Sequence, residues 1–199
     1  MQKGVVQMPN HVTNKIHLIG NQKRIDELME AVRYENQPLG TMDFNKVIPM
    51  PNNIFRGSLG QRELQLYGKN NWYDWSIANW GSKWNSFSPQ PLEKNTLTFS
   101  TAWSNVMPIL EALAQQYPDL DIEYRWADED IGCNVGMASF SGGEMTSLYF
   151  PEVQSKEAFE MAAEIRGIQL SDYCLSYNEE IGTYEYDENL EESMEMGGI

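Results

Sequence analysis

Apolar residues in this chain repeat every second residue in some segments and every three to four residues in others, and the two patterns alternate. The segment 11–19 has the two-residue period that is typical of a strand with one apolar face. That face is formed by Val12, Asn14, Ile16 and Leu18. The segment 21–34 has helical spacing behind Asn21, a residue type that caps helices. This order of elements is the strongest constraint on the fold.

The same order recurs further along the chain. The other predicted strands lie at 43–48, 96–101, 121–126, 133–140 and 145–150, and the other helices at 107–117 and 155–166. Two strand–helix–strand units followed by a hairpin and a helix predict an α+β protein with a ferredoxin-like (split β-α-β) antiparallel sheet. We assign residues 1–150 to this domain. Residues 151–199 are predicted to be an acidic helix and tail that packs on the domain or extends it.

A tryptophan-rich insertion interrupts the predicted domain at about residues 50–94. Four of the six tryptophans lie within thirteen residues, from Trp72 to Trp84. Their roughly helical spacing predicts a helix that docks the insertion onto the domain, because aromatic side chains of this size bury 150–250 Å² each. A partly exposed cleft that stacks on a ligand is the alternative interpretation.

The net charge of −15 is concentrated near one end of the chain. Residues 152–199 contain 13 acidic and two basic side chains, a net of −11, whereas residues 1–151 have a net of −4. A negative field disfavours a phosphate backbone, which is bound by clustered lysine and arginine. It favours a partner with a basic surface through long-range attraction, or simply keeps the chain in solution.

Residue spacing gives no support for a catalytic or metal site. His11 and His17 share a strand face but lie about 20 Å apart at roughly 3.3 Å per residue, too far to bind one metal ion. The run Asp128–Asp130 lacks the spacing of a calcium loop and is predicted to be a solvated turn. We therefore expect a non-enzymatic protein with no catalytic residues, no metal and no cofactor.

Two further features bear on the compartment. No apolar run approaches the roughly 18 residues of a membrane span, and residues 1–10 lack a stretch of signal-peptide length. The two cysteines, Cys133 and Cys174, have no zinc-binding spacing and fit a reducing compartment. We expect a cytoplasmic protein with no membrane partner.

Four blocks of the sequence are similar to a known family. They are Met8–Ile16, Asp43–Pro51, Asn79–Asn85 and Phe99–Ser104, and they occur in the family's order. The blocks resemble the YubB-like family of phage and conjugative-plasmid proteins with a ferredoxin-like domain, over roughly residues 8–150. The resemblance implies a mobile-element protein that acts inside a bacterial host cell. It implies no activity and no site residues.

Two functional hypotheses follow. In the first, an acidic, DNA-mimic-like surface binds and inhibits a host protein, for example a defence or DNA-handling factor, and the protein binds no nucleic acid directly. Its predicted residues are Glu157, Glu160, Glu164, Glu179, Glu180, Glu185, Asp187 and Glu188. In the alternative, an aromatic cleft binds a small ligand or nucleotide. The cleft residues are Trp72, Trp75, Trp80, Trp84 and Trp103.

Overall fold

A computed structural model describes residues 10–190 of the chain. Its strands are β1 (His11–Ile19), β2 (Thr96–Ala102), β3 (Asp121–Asp128), β4 (Val135–Ser141), β5 (Glu144–Tyr149), β6 (Leu175–Asn178) and β7 (Thr183–Tyr186). Its helices are α1 (Gln22–Val32), α2 (Phe44–Val47), α3 (Gln61–Tyr67), α4 (Trp72–Trp80), α5 (Met107–Gln116) and α6 (Lys156–Arg166), followed by a 3-10 turn at Leu170–Tyr173. The first five strands form one antiparallel sheet in the order β2-β1-β3-β4-β5, and β6 and β7 form a separate hairpin.

Strand β1 lies in the interior of the sheet, second in the order, although it precedes the other described strands in the sequence. It pairs antiparallel with β2 on one side and with β3 on the other. Strands β2 and β3 therefore run parallel to each other, and the chain passes from one to the other through α5. This is the split β-α-β arrangement that the sequence predicts.

One face of the sheet is packed against α1, α2 and α5 and contains the main core. Among its fully buried large side chains are Phe44, Phe99, Tyr124 and Trp126. Asn14 is buried among them, and its amide donates hydrogen bonds to the Thr101 hydroxyl and the Val12 carbonyl, both at 2.9 Å. Its side-chain oxygen accepts a hydrogen bond from the Tyr124 hydroxyl at 2.6 Å. Asn14 is the polar residue on the predicted apolar face of β1, and its side-chain amide finds hydrogen-bond partners inside the core.

The predicted strand at 43–48 is wrong, because this segment forms the single helical turn α2. Asp43 caps the turn by accepting a hydrogen bond from the Asn45 backbone at 3.0 Å. The Ile48 backbone N–H then bonds to the Phe44 carbonyl at 2.8 Å instead of to a neighbouring strand. The apolar residues Phe44, Val47 and Ile48 stand at i, i+3 and i+4, which is helical and not strand spacing, and the Asp43 cap agrees with it.

The opposite face of the sheet is covered only in part, by α6. Ala158, Ala162 and Ile165 of this helix pack on Ala127 and Val135 of the sheet, forming a small apolar cluster. The hairpin β6–β7 lies beside α6, with the rings of Phe159 and Tyr184 5.7 Å apart. The face beyond α6, formed by β1 and β2, carries polar side chains.

The insertion adds α3 and α4 and then follows the outer edge of the sheet. Helix α4 contacts α5. Beyond it, Phe87 and Ser100 exchange backbone hydrogen bonds of 3.0 and 2.8 Å, and the Gln90 N–H bonds to the Thr98 carbonyl at 2.9 Å. This pairing covers the free backbone groups of edge strand β2, which otherwise invite pairing with another chain.

Candidate binding surfaces

The eight predicted acidic residues, called here the acidic surface, lie on α6, on the β6–β7 hairpin and just after it. Glu157, Glu160 and Glu164 follow the solvent side of α6 at i, i+3 and i+7 and are exposed, while the opposite side of the helix is buried. Glu179 and Glu180 lie in the turn between β6 and β7. The predicted tail beyond residue 190 lies outside the described residues.

Five of these carboxylates are engaged within the protein. Glu157 accepts a hydrogen bond from the Tyr149 hydroxyl at 2.7 Å, and Glu160 lies 3.8 Å from the Lys156 ammonium. Glu185 accepts from the Asn178 amide at 2.6 Å, and Asp187 accepts from the Asn189 amide at 2.9 Å. Such contacts are mostly solvent-exposed, so each contributes little to stability.

Glu164 has the strongest internal partner of the set. Its two carboxylate oxygens accept from the two Nη atoms of Arg125 at 2.6 and 2.9 Å, a bidentate pair across the sheet face. The hydrogen bond from Arg125 holds the pKa of Glu164 below its usual range, and the same contact raises the pKa of Arg125. Glu164 therefore fixes α6 to β3 and is less available to a partner.

Three members of the acidic surface remain available. Within residues 10–190, the side chains of Glu179, Glu180 and Glu188 are exposed and form no hydrogen bond or ion pair. The Glu180 backbone N–H bonds to Asn178 at 2.8 Å, which orders the turn that presents the first two carboxylates. The charges that a basic partner meets first are thus at the hairpin turn and after β7.

The five predicted cleft tryptophans fall into two groups. Trp72, Trp75 and Trp80 lie on α4, where the indole N–H of Trp72 donates to the Gly57 carbonyl at 3.0 Å. Trp80 is only 4% exposed, packs edge-to-face on Phe44 and donates to the Ile48 carbonyl at 2.9 Å. Trp75 packs edge-to-face on Trp80 with the ring centroids 5.3 Å apart. This group joins the insertion to the core.

Trp84 and Trp103 form a second group at the surface. The Lys83 ammonium lies 4.6 Å from the ring centroid of Trp84 and 4.7 Å from that of Trp103, which are cation–π distances. Phe87 packs edge-to-face on both Trp84 and His11. We call Lys83, Trp84, Phe87, Trp103 and His11 the Lys83 patch.

Trp103 has an unusual backbone conformation, with φ of +68°. Bulky residues rarely adopt positive φ, and such strain is most frequent where a side chain has a functional role. The Trp103 N–H donates to the Asn10 carbonyl at 2.8 Å, and its carbonyl accepts from the Asn134 amide at 3.2 Å. The surrounding loops therefore hold the Trp103 backbone in this conformation, and its ring is partly exposed beside Lys83.

Asp128 supports the same loops, and its predicted place in a solvated turn is wrong. The side chain is buried and accepts hydrogen bonds from the Asn10 amide, the Asn134 amide and the Asp130 N–H, each at 3.0 Å. Glu129 and Asp130 are exposed, as predicted. Asp128 thus joins the start of β1 to the loop after β3. These two segments contact the Trp103 backbone, so Asp128 has a structural role beside the Lys83 patch.

Neither the histidines nor the acidic residues form a metal site in the described part of the chain. The Nδ1 atom of His17 lies 2.9 Å from the Thr96 hydroxyl, and His11 contacts the Phe87 ring. Within residues 10–190, no group of three or more His, Cys, Asp or Glu is placed to bind a metal ion.

One polar region was not singled out by sequence reasoning. Thr13, Lys15, Thr98 and Ser100 lie on the sheet face away from the core and line a cavity beside α6. The period of β1 places Thr13 and Lys15 on the outer face, but no sequence signal indicates that α6 and residues 88–93 close around them.

Among residues 10–190, none of the helices combines the length and the apolar character needed to cross a lipid bilayer.

Comparison with known proteins concerns the central part of the chain. A family model described as "Ferredoxin-like domain in Api92-like protein" matches residues 79–169. A solved structure of protein Api92 from Yersinia pseudotuberculosis is similar at 14% identity and a TM-score of 0.39. The similarity covers 65% of this chain and 52% of that one, so this chain spans about half the length of that structure. No curated protein matches the chain.

The matched residues run from the end of α4 to just beyond α6 and include the split unit β2-α5-β3 with the β4–β5 hairpin. This part of the chain is similar to the domain of Api92-like proteins. The predicted fold class is confirmed: the protein has a ferredoxin-like α+β fold with a five-stranded antiparallel sheet. The C-terminal hairpin β6–β7 is a further element, in a segment that was predicted to be a tail.

Proposed function

We propose that this chain is a non-enzymatic accessory protein of a phage or plasmid that binds and inhibits a protein of its bacterial host through the acidic surface. One observation supports this proposal above the others. Glu179, Glu180 and Glu188 are exposed and have no hydrogen-bond or ion-pair partner among residues 10–190, in a region with a strong excess of acidic side chains. Carboxylates that are not neutralised internally retain their charge for a partner.

The mobile-element origin rests on the resemblance of four sequence blocks to the YubB-like family. The block at Met8–Ile16 begins outside the described residues, whereas the other three lie within them. With this origin, the protein acts in the cytoplasm of the host cell.

The partner in this proposal presents lysine and arginine. A row of carboxylates on α6, followed by the hairpin turn, is the charge pattern of a nucleic-acid mimic. The host factor would then be one whose own groove binds DNA or RNA. Association driven by such charges slows as salt is added, because screening acts over a Debye length of about 8 Å at physiological ionic strength.

The test uses charge reversal at Glu179 and Glu180, whose carboxylates form no hydrogen bond or ion pair in the described part of the chain. In Glu179→Lys/Glu180→Lys the fold keeps all its ion pairs, whereas reversal of Glu164 would place two cations together at Arg125. The matched control is Glu111→Lys/Asp121→Lys, which changes the net charge equally at exposed sites outside the acidic surface.

Wild type and both variants are used as baits in a bacterial lysate, and bound proteins are quantified at several salt concentrations. We expect a basic host protein to be captured by wild type and control, released by salt, and lost with Glu179→Lys/Glu180→Lys. An identical set of captured proteins for all three baits contradicts the proposal. Binding of wild type to an oligonucleotide tighter than about 1 μM at physiological salt also contradicts it.

The Lys83 patch supports a second candidate function, a nucleotide-binding module. The supporting observation is the partly exposed Trp103 ring, carried on a backbone with positive φ, near the Lys83 ammonium that also contacts Trp84. A base stacks on an indole ring, and an ammonium binds phosphate. Titration of nucleoside monophosphates with tryptophan fluorescence tests it. Saturable quenching that is lost in Trp103→Ala and retained in Glu179→Lys/Glu180→Lys supports this candidate, and the absence of saturable quenching excludes it.

A further inference from the structure

A cavity of about 310 Å³ lies on the partly covered face of the sheet. Strands β1 and β2 form its floor, the C-terminal end of α6 forms one wall, and residues 88–93 of the insertion form the other. The residues that define it are Thr13, Lys15, Gln90, Glu93, Thr98, Ser100 and Arg166. Its volume lies at the lower end of the range for small-molecule sites.

The strand register brings four polar residues together on the floor of the cavity, and we call these four residues the polar square. Lys15 is paired across the strands with Thr98, and Thr13 with Ser100. Residues directly opposite each other in an antiparallel pair have Cβ atoms about 4.5–5.5 Å apart and point to the same face. Three hydroxyls and one ammonium are therefore held side by side by the sheet itself.

Lys15 is the unusual member of this square. It is partly buried, and within the described residues its ammonium forms no hydrogen bond or ion pair. The nearby carboxylate of Glu164 is occupied by Arg125, and Lys15 contributes only a weaker, longer-range attraction that lowers the pKa of Glu164 further. A partly desolvated ammonium without an anionic partner is a binding group for an anion.

The charged lining also has the opposite sign from the chain as a whole. Two of its three charged residues are basic, Lys15 and Arg166, and one is acidic, Glu93. The Arg166 guanidinium already donates to the Glu129 carbonyl at 3.1 Å and lies over the Tyr173 ring, so Lys15 is the cation that remains open to a ligand. The end of α6 carries partial negative charge, but the N–H groups of Gly167 and Ile168 bond to the Ala163 carbonyl and reduce it. In a chain of net charge −15, this cavity is a local site for an anion.

We propose that the cavity binds a small phosphorylated polyol such as a sugar monophosphate. Lys15, with the Thr13, Thr98 and Ser100 hydroxyls, binds the phosphate oxygens. Glu93 and the Gln90 amide accept hydrogen bonds from hydroxyl groups of the polyol. The Glu93 carboxylate favours a sugar phosphate, whose hydroxyl groups can donate to it, over inorganic phosphate.

The experiment titrates the full chain with glucose 6-phosphate, glucose and inorganic phosphate, using isothermal titration calorimetry and amide chemical shifts. We expect glucose 6-phosphate to bind more tightly than inorganic phosphate, and glucose to show no binding up to about 10 mM. Lys15→Met is expected to weaken glucose 6-phosphate binding about tenfold or more, because a charge-assisted hydrogen bond is lost. Lys46→Met, at an exposed lysine on α2, is the matched control and leaves the affinity unchanged.

Two other variants separate the parts of the site. Glu93→Gln should weaken glucose 6-phosphate binding and leave inorganic phosphate unaffected, whereas Thr98→Val should weaken both without changing the net charge. If no phosphate compound binds by about 10 mM, or if Lys15→Met and Thr98→Val both bind as well as wild type, the proposal is wrong. Glu179→Lys/Glu180→Lys should have the same affinities as wild type for glucose 6-phosphate and inorganic phosphate and should likewise not bind glucose. The cavity and the acidic surface are therefore tested independently.

Discussion

The two faces of the central sheet differ in what covers them. The face under α1 and α5 is closed by a continuous apolar core, with Trp126 and Tyr124 fully buried. The face under α6 has only a small cluster around Ala162 and Ile165, and its remaining strand residues are mostly polar, with Met137 and Tyr149 exposed on β4 and β5. Both faces are built from the same strands, because successive residues of a strand point in opposite directions.

This difference separates stability from binding within single strands. In β1, Val12 and Ile16 contribute to the core, while Thr13 and Lys15 between them face the cavity. We call the sheet face under α1 and α5 the core face, and the face under α6 the cavity face. Substitutions on the core face are expected to change the free energy of unfolding. Substitutions on the cavity face are expected to change ligand affinity with little loss of stability. Three predictions test this separation, in order of decreasing effect.

The largest effect is expected for Trp80→Ala, which removes a buried ring and its hydrogen bond to Ile48. The free energy of unfolding should fall by about 3–5 kcal/mol, the range for truncation of large core side chains. Urea denaturation monitored by circular dichroism measures it. Trp84→Ala, in the Lys83 patch, is the control and should cost no more than about 1 kcal/mol. Equal losses for the two variants would show that the patch is part of the core.

An intermediate effect is expected for Tyr124→Phe. The Tyr124 hydroxyl donates to Asn14 and accepts from the Val106 N–H at 3.0 Å, so its removal leaves two buried polar groups without a partner. The expected loss is about 1–3 kcal/mol by the same denaturation measurement. Tyr149→Phe, which removes an exposed hydroxyl on β5, is the control and should be nearly neutral. A neutral Tyr124→Phe would mean that the core readily rearranges around Asn14.

The smallest effect is expected for Glu164→Gln on the cavity face. Arg125 holds the pKa of Glu164 below its usual value, so the pair stabilises the fold above the unfolded-state pKa and loses this contribution as pH falls through the folded-state pKa. Because Glu164 is 65% exposed, the loss at pH 7 should be no more than about 1 kcal/mol. Melting temperatures of the two proteins should converge between roughly pH 5 and pH 3. A difference that persists at pH 3 would show that charge is not its source.

The core face was largely predictable from the sequence, and the cavity face was not. The alternation of apolar residues in 11–19 predicted β1, and the helix cap at Asn21 predicted α1. Both predictions held because the buried side of each element is encoded in its local sequence. The turn at α2 was missed although Phe44, Val47 and Ile48 have helical spacing, because one turn is too short to show a repeated period. The Lys15 cavity depends on α6, about 150 residues later in the chain, and local patterns carry no information about such contacts.

The acidic surface shows the same limit at the level of side chains. Sequence reasoning located all eight carboxylates but treated them as equivalent. The structure distinguishes Glu164, which is bound to Arg125, from Glu179, which has no partner within residues 10–190. That distinction requires knowing which strand α6 crosses.

The position of β1 between β2 and β3 has a consequence for synthesis of the protein on the ribosome. Strand β1 is made before both strands that flank it, and its Asn14 bonds to Thr101, 87 residues later, and to Tyr124, 110 residues later. At roughly 5–20 residues per second, β1 waits roughly 5–20 s for its second neighbour to be translated. During that interval its apolar side is open to chaperones and to β1 of another nascent chain. The order of the strands therefore leaves β1 unpaired for longer than any other strand of the five-stranded sheet.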